Sequence, residues 1–215
     1  MKNEDRRNRQ MKADKIVFAT GNADKMREIR MIMADLGLEI QSMKEAGVDA
    51  DIVEDGKTFE ENAVIKASAI AEELGKKGVK AVVLADDSGL EIDYLNREPG
   101  IYSARYMGEN TSYAVKNASL IKRLEGVPDE KRTARFVCVI AAVFPDGRKF
   151  TTRAAIEGRI GYEERGQNGF GYDPIFYLPE YGLYSAELEP EEKNRISHRG
   201  KALEEMKKVL KQERL

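Results

Sequence analysis

The chain has 215 residues, 41% of them hydrophobic, and 36 Lys plus Arg against 38 Asp plus Glu give a formal charge of −2. That composition supports a sizeable core and excludes wholesale disorder, and the absence of a basic excess argues against a general nucleic-acid binder. A single cysteine, Cys138, excludes an intrachain disulfide, and a single histidine, His198, excludes any metal site needing two imidazoles, so a metal here is held by oxygens, as Mg²⁺ or Mn²⁺ are.

Residues 1–14 are dense in charge, carry no apolar periodicity and read as a flexible N-terminal extension. No apolar run is long enough to span a bilayer and there is no secretory pattern, which predicts a cytoplasmic protein with no membrane partner. Lys15 to Ala19 reads as a short strand. Met26, Ile29, Met33 and Leu36 then recur at helical spacing, with Gly37 as the stop. Thr20 to Lys25 is therefore a strand-to-helix turn. Its free N–H groups and the positive end of the helix dipole attract phosphate, and Lys25 is a misplaced cation unless an anion sits there. The GxxxxGK[ST] spacing of a Walker loop is absent, and an Asn22 cap with an incidental lysine is the plainer alternative.

Residues 39–53 hold a short strand and a loop, and Glu54-Asp55-Gly56 is an acidic turn. Thr58 and Glu61 predict a capping box for a helix whose apolar face is Ala63, Ala67, Ile70 and Leu74 and which stops at Gly75. Asn62 and Lys66 fall on its other side. A solvated face is the default for Lys66, and a place at an acidic, metal-bearing site is the alternative.

Val82-Val83-Leu84 reads as the end of a buried strand, followed by Asp86 and Asp87 in a loop that Gly89 turns sharply. Paired buried carboxylates repel and need a cation, a proton or water. A solvated Asp-Asp turn is the alternative. Pro99-Gly100 marks a second turn, and a helix follows from about Ser112 to Leu124, ending at Gly126. The apolar run from Arg135 to Phe144 turns at Pro145-Asp146-Gly147-Arg148 into residues 149–160, a strong hairpin signal with Cys138 buried in its first strand.

The loop from Gly166 to Pro174 is glycine-rich and leads into a strand at 175–178. A ring at Phe170 beside the carboxylate of Asp173 suits a flat heteroaromatic ligand, and inward packing of Phe170 is the alternative. Ser197 caps a last helix with Leu203, Met206 and Leu210 on its buried side. His198 and Arg199 then sit at a helix N-terminus, where the dipole disfavours cations, unless a ligand is held there. Surface exposure is the alternative. There is no repeat and no linker. Alternating strands and helices followed by a hairpin predict an α/β fold in two lobes, a central mixed sheet flanked by helices with a cleft between the lobes, as one domain over residues 15–215.

Taken together, T-G-N-x-x-K, E-D-G-x-T-F-x-E-N-A, A-D-D-S-G-L, P-G-I-Y-S-A-R-Y, G-F-G-Y-D-P-I-F and E-K-N-x-I-S-H-R resemble the inosine triphosphate pyrophosphatase family, in the family's order, from about Lys15 to Met206. The resemblance implies an elongated, usually homodimeric enzyme that hydrolyses the deaminated purine triphosphates ITP, dITP and XTP to the monophosphate and pyrophosphate. It implies that Thr20, Gly21, Asn22 and Lys25 hold the triphosphate with Lys66 assisting, and that Glu54 and Asp87 hold Mg²⁺, with Mn²⁺ as a substitute. Asp87 is also implied to activate water and Ser88 to touch substrate. Phe170, Gly171, Tyr172, Asp173, Lys193, His198 and Arg199 are implied to form the base pocket. The alternatives are a pyrophosphatase for modified pyrimidine nucleotides and a nucleotide-binding regulator without turnover.

Overall fold

In the computed structural model, residues 15–213 are described, and the expected N-terminal extension lies outside them. The chain divides into two compact units. The first holds the residues through Asp87, Val139–Arg153 and those from Ala202; the second holds Ser88–Cys138 and Ala154–Lys201.

In the first unit, β1 (Lys15–Phe18) pairs in parallel with β2 (Glu39–Ser42) and, on its other side, with β3 (Val82–Ile92). Ile16 lies opposite Ile40 on one side and Val82 on the other. Parallel neighbours need crossover helices, and the predicted ones supply them: α1 (Ala23–Met33) follows β1, and α2 (Phe59–Lys76) precedes β3. Ile16, Val17 and Phe18 are wholly buried, as expected of a parallel strand covered on both faces. Gly75 does not stop α2. It stays in the last turn, and the left-handed residue after the helix is Gly78, at φ 70°.

In the second unit, β4 (Glu98–Pro99) pairs antiparallel with the far half of β3. The hairpin strands, β5 (Thr133–Val143) and β6 (Lys149–Ile160), have their turn ends in the first unit and their outer ends in the second, where β6 pairs antiparallel with β7 (Phe176–Leu178), which pairs with β8 (Leu183–Tyr184). Helix α3 (Tyr113–Arg123) lies where the helix from about Ser112 was expected, and Ser112 caps it. Its Leu120 joins Leu90, Ile92, Phe136, Ile160, Phe176 and Leu188 in this unit's core. A short helix, α4 (Pro190–Ile196), precedes α5 (His198–Gln212); periodicity showed only the second. The strand order is β2-β1-β3-β5-β6-β7-β8, with β4 on β3, so the sheet is mixed as the sequence predicts. Cys138 is buried in β5.

One expectation fails in an informative way. β3 does not end before Asp86 but runs unbroken through Asp86, Asp87, Ser88 and Gly89 to Ile92. Leu90 and Ile92 are wholly buried, so the strand still has apolar surface to bury beyond the carboxylates. The acidic pair is tolerated in mid-strand because basic and amide side chains from α1 and α2 meet it.

Candidate active site

The first cluster lies in the first unit. Asp86 and Asp87 are 1% and 7% exposed, so the solvated-turn alternative does not hold. Successive strand residues point to opposite faces, and the two carboxylates accordingly take different partners. Lys25 reaches Asp86 at 2.9 Å from the first turn of α1. Asn22 caps that helix, its Oδ1 accepting from Lys25 N at 3.0 Å, while Thr20 Oγ1 accepts from Asn22 N at 3.2 Å. The lysine that looked misplaced against the helix dipole thus has an anion within the protein.

Lys66 comes from α2. It donates to Glu54 at 2.9 Å and lies 3.5 Å from Asp87 Oδ1. It is buried rather than solvated, and so is Asn62, whose Nδ2 donates to Asp87 Oδ2 at 3.2 Å. Burial pulls the Lys66 ammonium down, but Asp87, Asp86 and Glu54 outweigh it and the net direction is up, so Lys66 is a cation here. Burial pushes the Asp87 carboxyl above the usual carboxylate range; Lys66 and Asn62 pull it back in part, while Glu54 and Asp86 push the same way as burial. A carboxyl raised by burial and like charge, yet held by two donors, has the properties of a general base.

Glu54 and Asp87 therefore meet at one ammonium. Among the described residues no group of three or more His, Cys, Asp or Glu side chains is arranged to hold a metal. A donor set of two carboxylates does not form an all-protein cage, but it fits Mg²⁺, which keeps several waters and takes one or two carboxylates plus substrate phosphates. Glu54 and Asp87 are the residues that would hold it.

The second cluster lies in the second unit. Asp173 is 4% exposed and takes three donors: Phe170 N at 2.9 Å, Ser185 Oγ at 2.8 Å and Lys193 Nζ at 2.7 Å. Gly169, at φ 77°, is required beside it, because a Cβ there would stand 2.3 Å from Asp173 Oδ2. Phe170 is half-buried, with the Lys193 ammonium 5.1 Å and the Arg199 guanidinium 5.5 Å from its ring centre, both in cation–π range. Tyr172 is buried; its hydroxyl donates to Ser103 O at 2.7 Å and its ring packs edge-on against Tyr113. Gly171 O accepts from Asn117 at 3.3 Å.

Ser197 caps α5, accepting from Gly200 N at 3.0 Å, and His198 and Arg199 behind it are 7% and 3% exposed, so surface exposure does not explain them. The His198 ring stacks on Phe136 at 4.9 Å. The space enclosed by Asp173, Ser185, Lys193 and His198 is about 10 Å³, room for one water and not for a base. Those inner contacts are scaffold, and the Phe170 ring with its two cations is the face able to meet a ligand. A larger cavity of about 450 Å³ in this unit is lined by Ile156, Glu157, Leu178, Tyr181 and Lys201, and none of the predicted site residues borders it.

The structure brings Lys25, Glu54, Lys66 and Asp87 together in one unit, and Phe170, Asp173, Lys193 and Arg199 together in the other. Ser88 follows Asp87 on β3, half-buried, and Gly21 lies exposed just before the Asn22 cap of α1. Four further residues carry these clusters: Asp86, Asn62, Ser185 and Phe136. The signals for Asp86 and Asn62 were present in A-D-D-S-G-L and E-N-A. Nothing local marks Ser185 or Phe136, whose partners lie 12 and 62 positions away.

Residues 16–209 match the model of the Ham1 family. A dITP/XTP pyrophosphatase of Clostridium perfringens is 50% identical over 198 residues, covering 92% of this chain and 97% of that protein. The solved structure of a HAM1 protein from Coxiella burnetii is 43% identical with a TM-score of 0.81, over 92% of this chain and 98% of the other. The Staphylococcus aureus Ham1 protein is 41% identical with a TM-score of 0.80, over 93% and 99%.

Proposed function

Because the chain belongs to the Ham1 family, we propose that it hydrolyses deaminated purine nucleoside triphosphates such as ITP, dITP and XTP to the nucleoside monophosphate and pyrophosphate, with Mg²⁺ as cofactor and residues 15–215 acting as one pyrophosphatase domain. The observation that carries this reading is the convergence of Glu54 and Asp87 on the Lys66 ammonium, beside the Lys25–Asp86 pair. Phosphoryl chemistry asks a protein for charge neutralisation and an in-line water rather than covalent help, and this cluster is equipped for both.

Lys25 and Lys66 are already charged and held in place. They spread the charge of an incoming polyphosphate, and the N–H group at Gly21 adds a donor just ahead of a helix N-terminus. Asp87 orients the attacking water and takes its proton, a contribution of order 10²–10⁴ in rate. Glu54 and Asp87 would hold a divalent cation, which when bound would supply Lewis-acid polarisation of phosphate oxygens and offset charge on the leaving pyrophosphate.

In the second unit, Phe170 stacks the base, and Lys193 and Arg199, the two cations over its ring, supply donors to the 6-oxo group that hypoxanthine and xanthine carry in place of adenine's amine, with His198 packed behind them. An adenine there leaves buried donors without acceptors, at about 1–3 kcal/mol each, so two mismatches give a preference of roughly a hundredfold. Incubation with ITP and Mg²⁺ tests the assignment: IMP and pyrophosphate are expected, and release of IDP with orthophosphate refutes the cleavage position.

A further inference from the structure

The acidic turn 54–56 and the strand that carries Asp87 are separate stretches of chain, and one buried side chain ties them together. Asn62, in the first turns of α2, is wholly buried. Its Oδ1 accepts from Gly56 N at 2.9 Å and its Nδ2 donates to Asp87 Oδ2 at 3.2 Å. The amide orientation follows from chemistry, because only the NH₂ can donate to a carboxylate and only the oxygen can accept from an N–H. The turn sits directly on the helix. A Cβ on Gly56 would stand 2.6 Å from Asn62 Oδ1 and 2.8 Å from Glu61 Cβ. A second tie, from Lys57 N to Glu61 at 2.6 Å, is solvent-exposed.

We propose that Asn62 is a positioning residue for the reaction: through one rigid amide it fixes the Glu54 turn and the Asp87 carboxylate relative to each other, so that both present oxygens to one divalent cation. This rests on the functional reading above. With Oδ2 of Asp87 engaged by the amide, Oδ1 is left facing Lys66, which also donates to Glu54. Without the amide, Asp87 keeps only its 3.5 Å contact with Lys66, and the turn keeps only its exposed tie and the Glu54–Lys66 pair. Groups of this kind, one bond behind the ligands, change metal affinity or activity by about 10–100-fold when removed.

The test measures Mn²⁺ affinity in the absence of nucleotide, from the loss of the free-ion EPR signal, together with Tm and the kcat and KM for ITP. Asn62→Leu keeps the volume and removes both hydrogen bonds. Gly56→Ala works from the other side, lifting the turn off the helix while leaving the fold's core untouched, and serves if the first variant does not fold. Mn²⁺ affinity and kcat are each expected to fall about 10–100-fold in both, with KM for ITP within about threefold of wild type. Folded variants that bind Mn²⁺ and turn over as wild type does, with only Tm lowered, overturn the proposal and make Asn62 purely structural. If wild type itself neither binds Mn²⁺ nor releases pyrophosphate from ITP, the functional reading fails and the proposal fails with it.

Discussion

Asp173→Asn probes the scaffold of the proposed base pocket. The carboxylate and its Lys193 partner are 5% and 7% exposed as side chains, so neither has water to fall back on. Removing one member of a buried pair leaves an uncompensated charge and costs about 3–5 kcal/mol. The asparagine oxygen can still accept from Phe170 N, and the Ser185 hydroxyl can rotate to accept from the new NH₂, so the lower end, about 3 kcal/mol, is the expected cost. At roughly 2–4 °C per kcal/mol for a chain of this length, Tm should fall by about 6–12 °C. Lys193→Met in the same background should restore most of that loss, because it removes the buried ammonium that the first change leaves without its counter-charge. Calorimetry of wild type, both single variants and the double variant closes the cycle. A drop below about 2 °C for Asp173→Asn, or additive single losses, shows that the pair is not coupled and refutes the scaffold argument.

Asp87→Asn should leave the fold intact and lower turnover by about 10²–10⁴, read as pyrophosphate release. Its Tm at pH 7 should equal or exceed that of wild type, because burial, Glu54 and Asp86 all oppose the charge that is removed; undiminished turnover takes Asp87 out of the mechanism. Lys193→Ala should erode the ratio of kcat/KM for ITP over ATP, whereas an equal loss on every nucleotide assigns Lys193 to the phosphates. Glu45, held down to about 2 by Ser42 N, Arg30 and the Ser42 hydroxyl, stabilises the fold above its ordinary value of 4.5. That contribution disappears as pH falls from there through about 2, so the Tm gap between wild type and Glu45→Gln should be present at pH 7 and close over that interval.

What could be read from the sequence was what depends on near neighbours. Ser112 and Thr58 cap the predicted helices, and the Asp146-Gly147 hairpin lies where the pattern put it. The capping box is only half formed, with Glu61 reaching Lys57 N rather than the cap. Long-range compensation was not legible. Two adjacent carboxylates look like a strand's end until Lys25, 61 residues away, and Asn62, 25 residues away, are seen to meet them. The burial of Lys66 fails the helical-face rule for the same reason: its partners are on the Glu54 turn and on β3, not one turn along α2. The division into two units leaves no trace in composition either, because the chain crosses between them inside β3, β5, β6 and α5 rather than at a linker.

Electrostatics also supports the proposal of a cation besides the two lysines in the first cluster. Lys25 and Lys66 are matched against three carboxylates, Asp86, Glu54 and Asp87, so this group of five is already negative overall while Asp87 is ionised. A polyphosphate adds several further negative charges at a site with little water, where like charges at close range are far more costly than in solution. The lysines cannot serve substrate and carboxylates at full strength together. The divalent ion proposed for Glu54 and Asp87 would remove that conflict, since it would neutralise the carboxylates that now occupy Lys66 and leave the ammonium for phosphate. Lys66 is on this account the residue whose partner changes with occupancy. Its replacement by Met should therefore raise KM for the nucleotide while tightening Mn²⁺ binding in its absence, because the competing ammonium is gone. Mn²⁺ affinity that falls in Lys66→Met instead contradicts this exchange of partners.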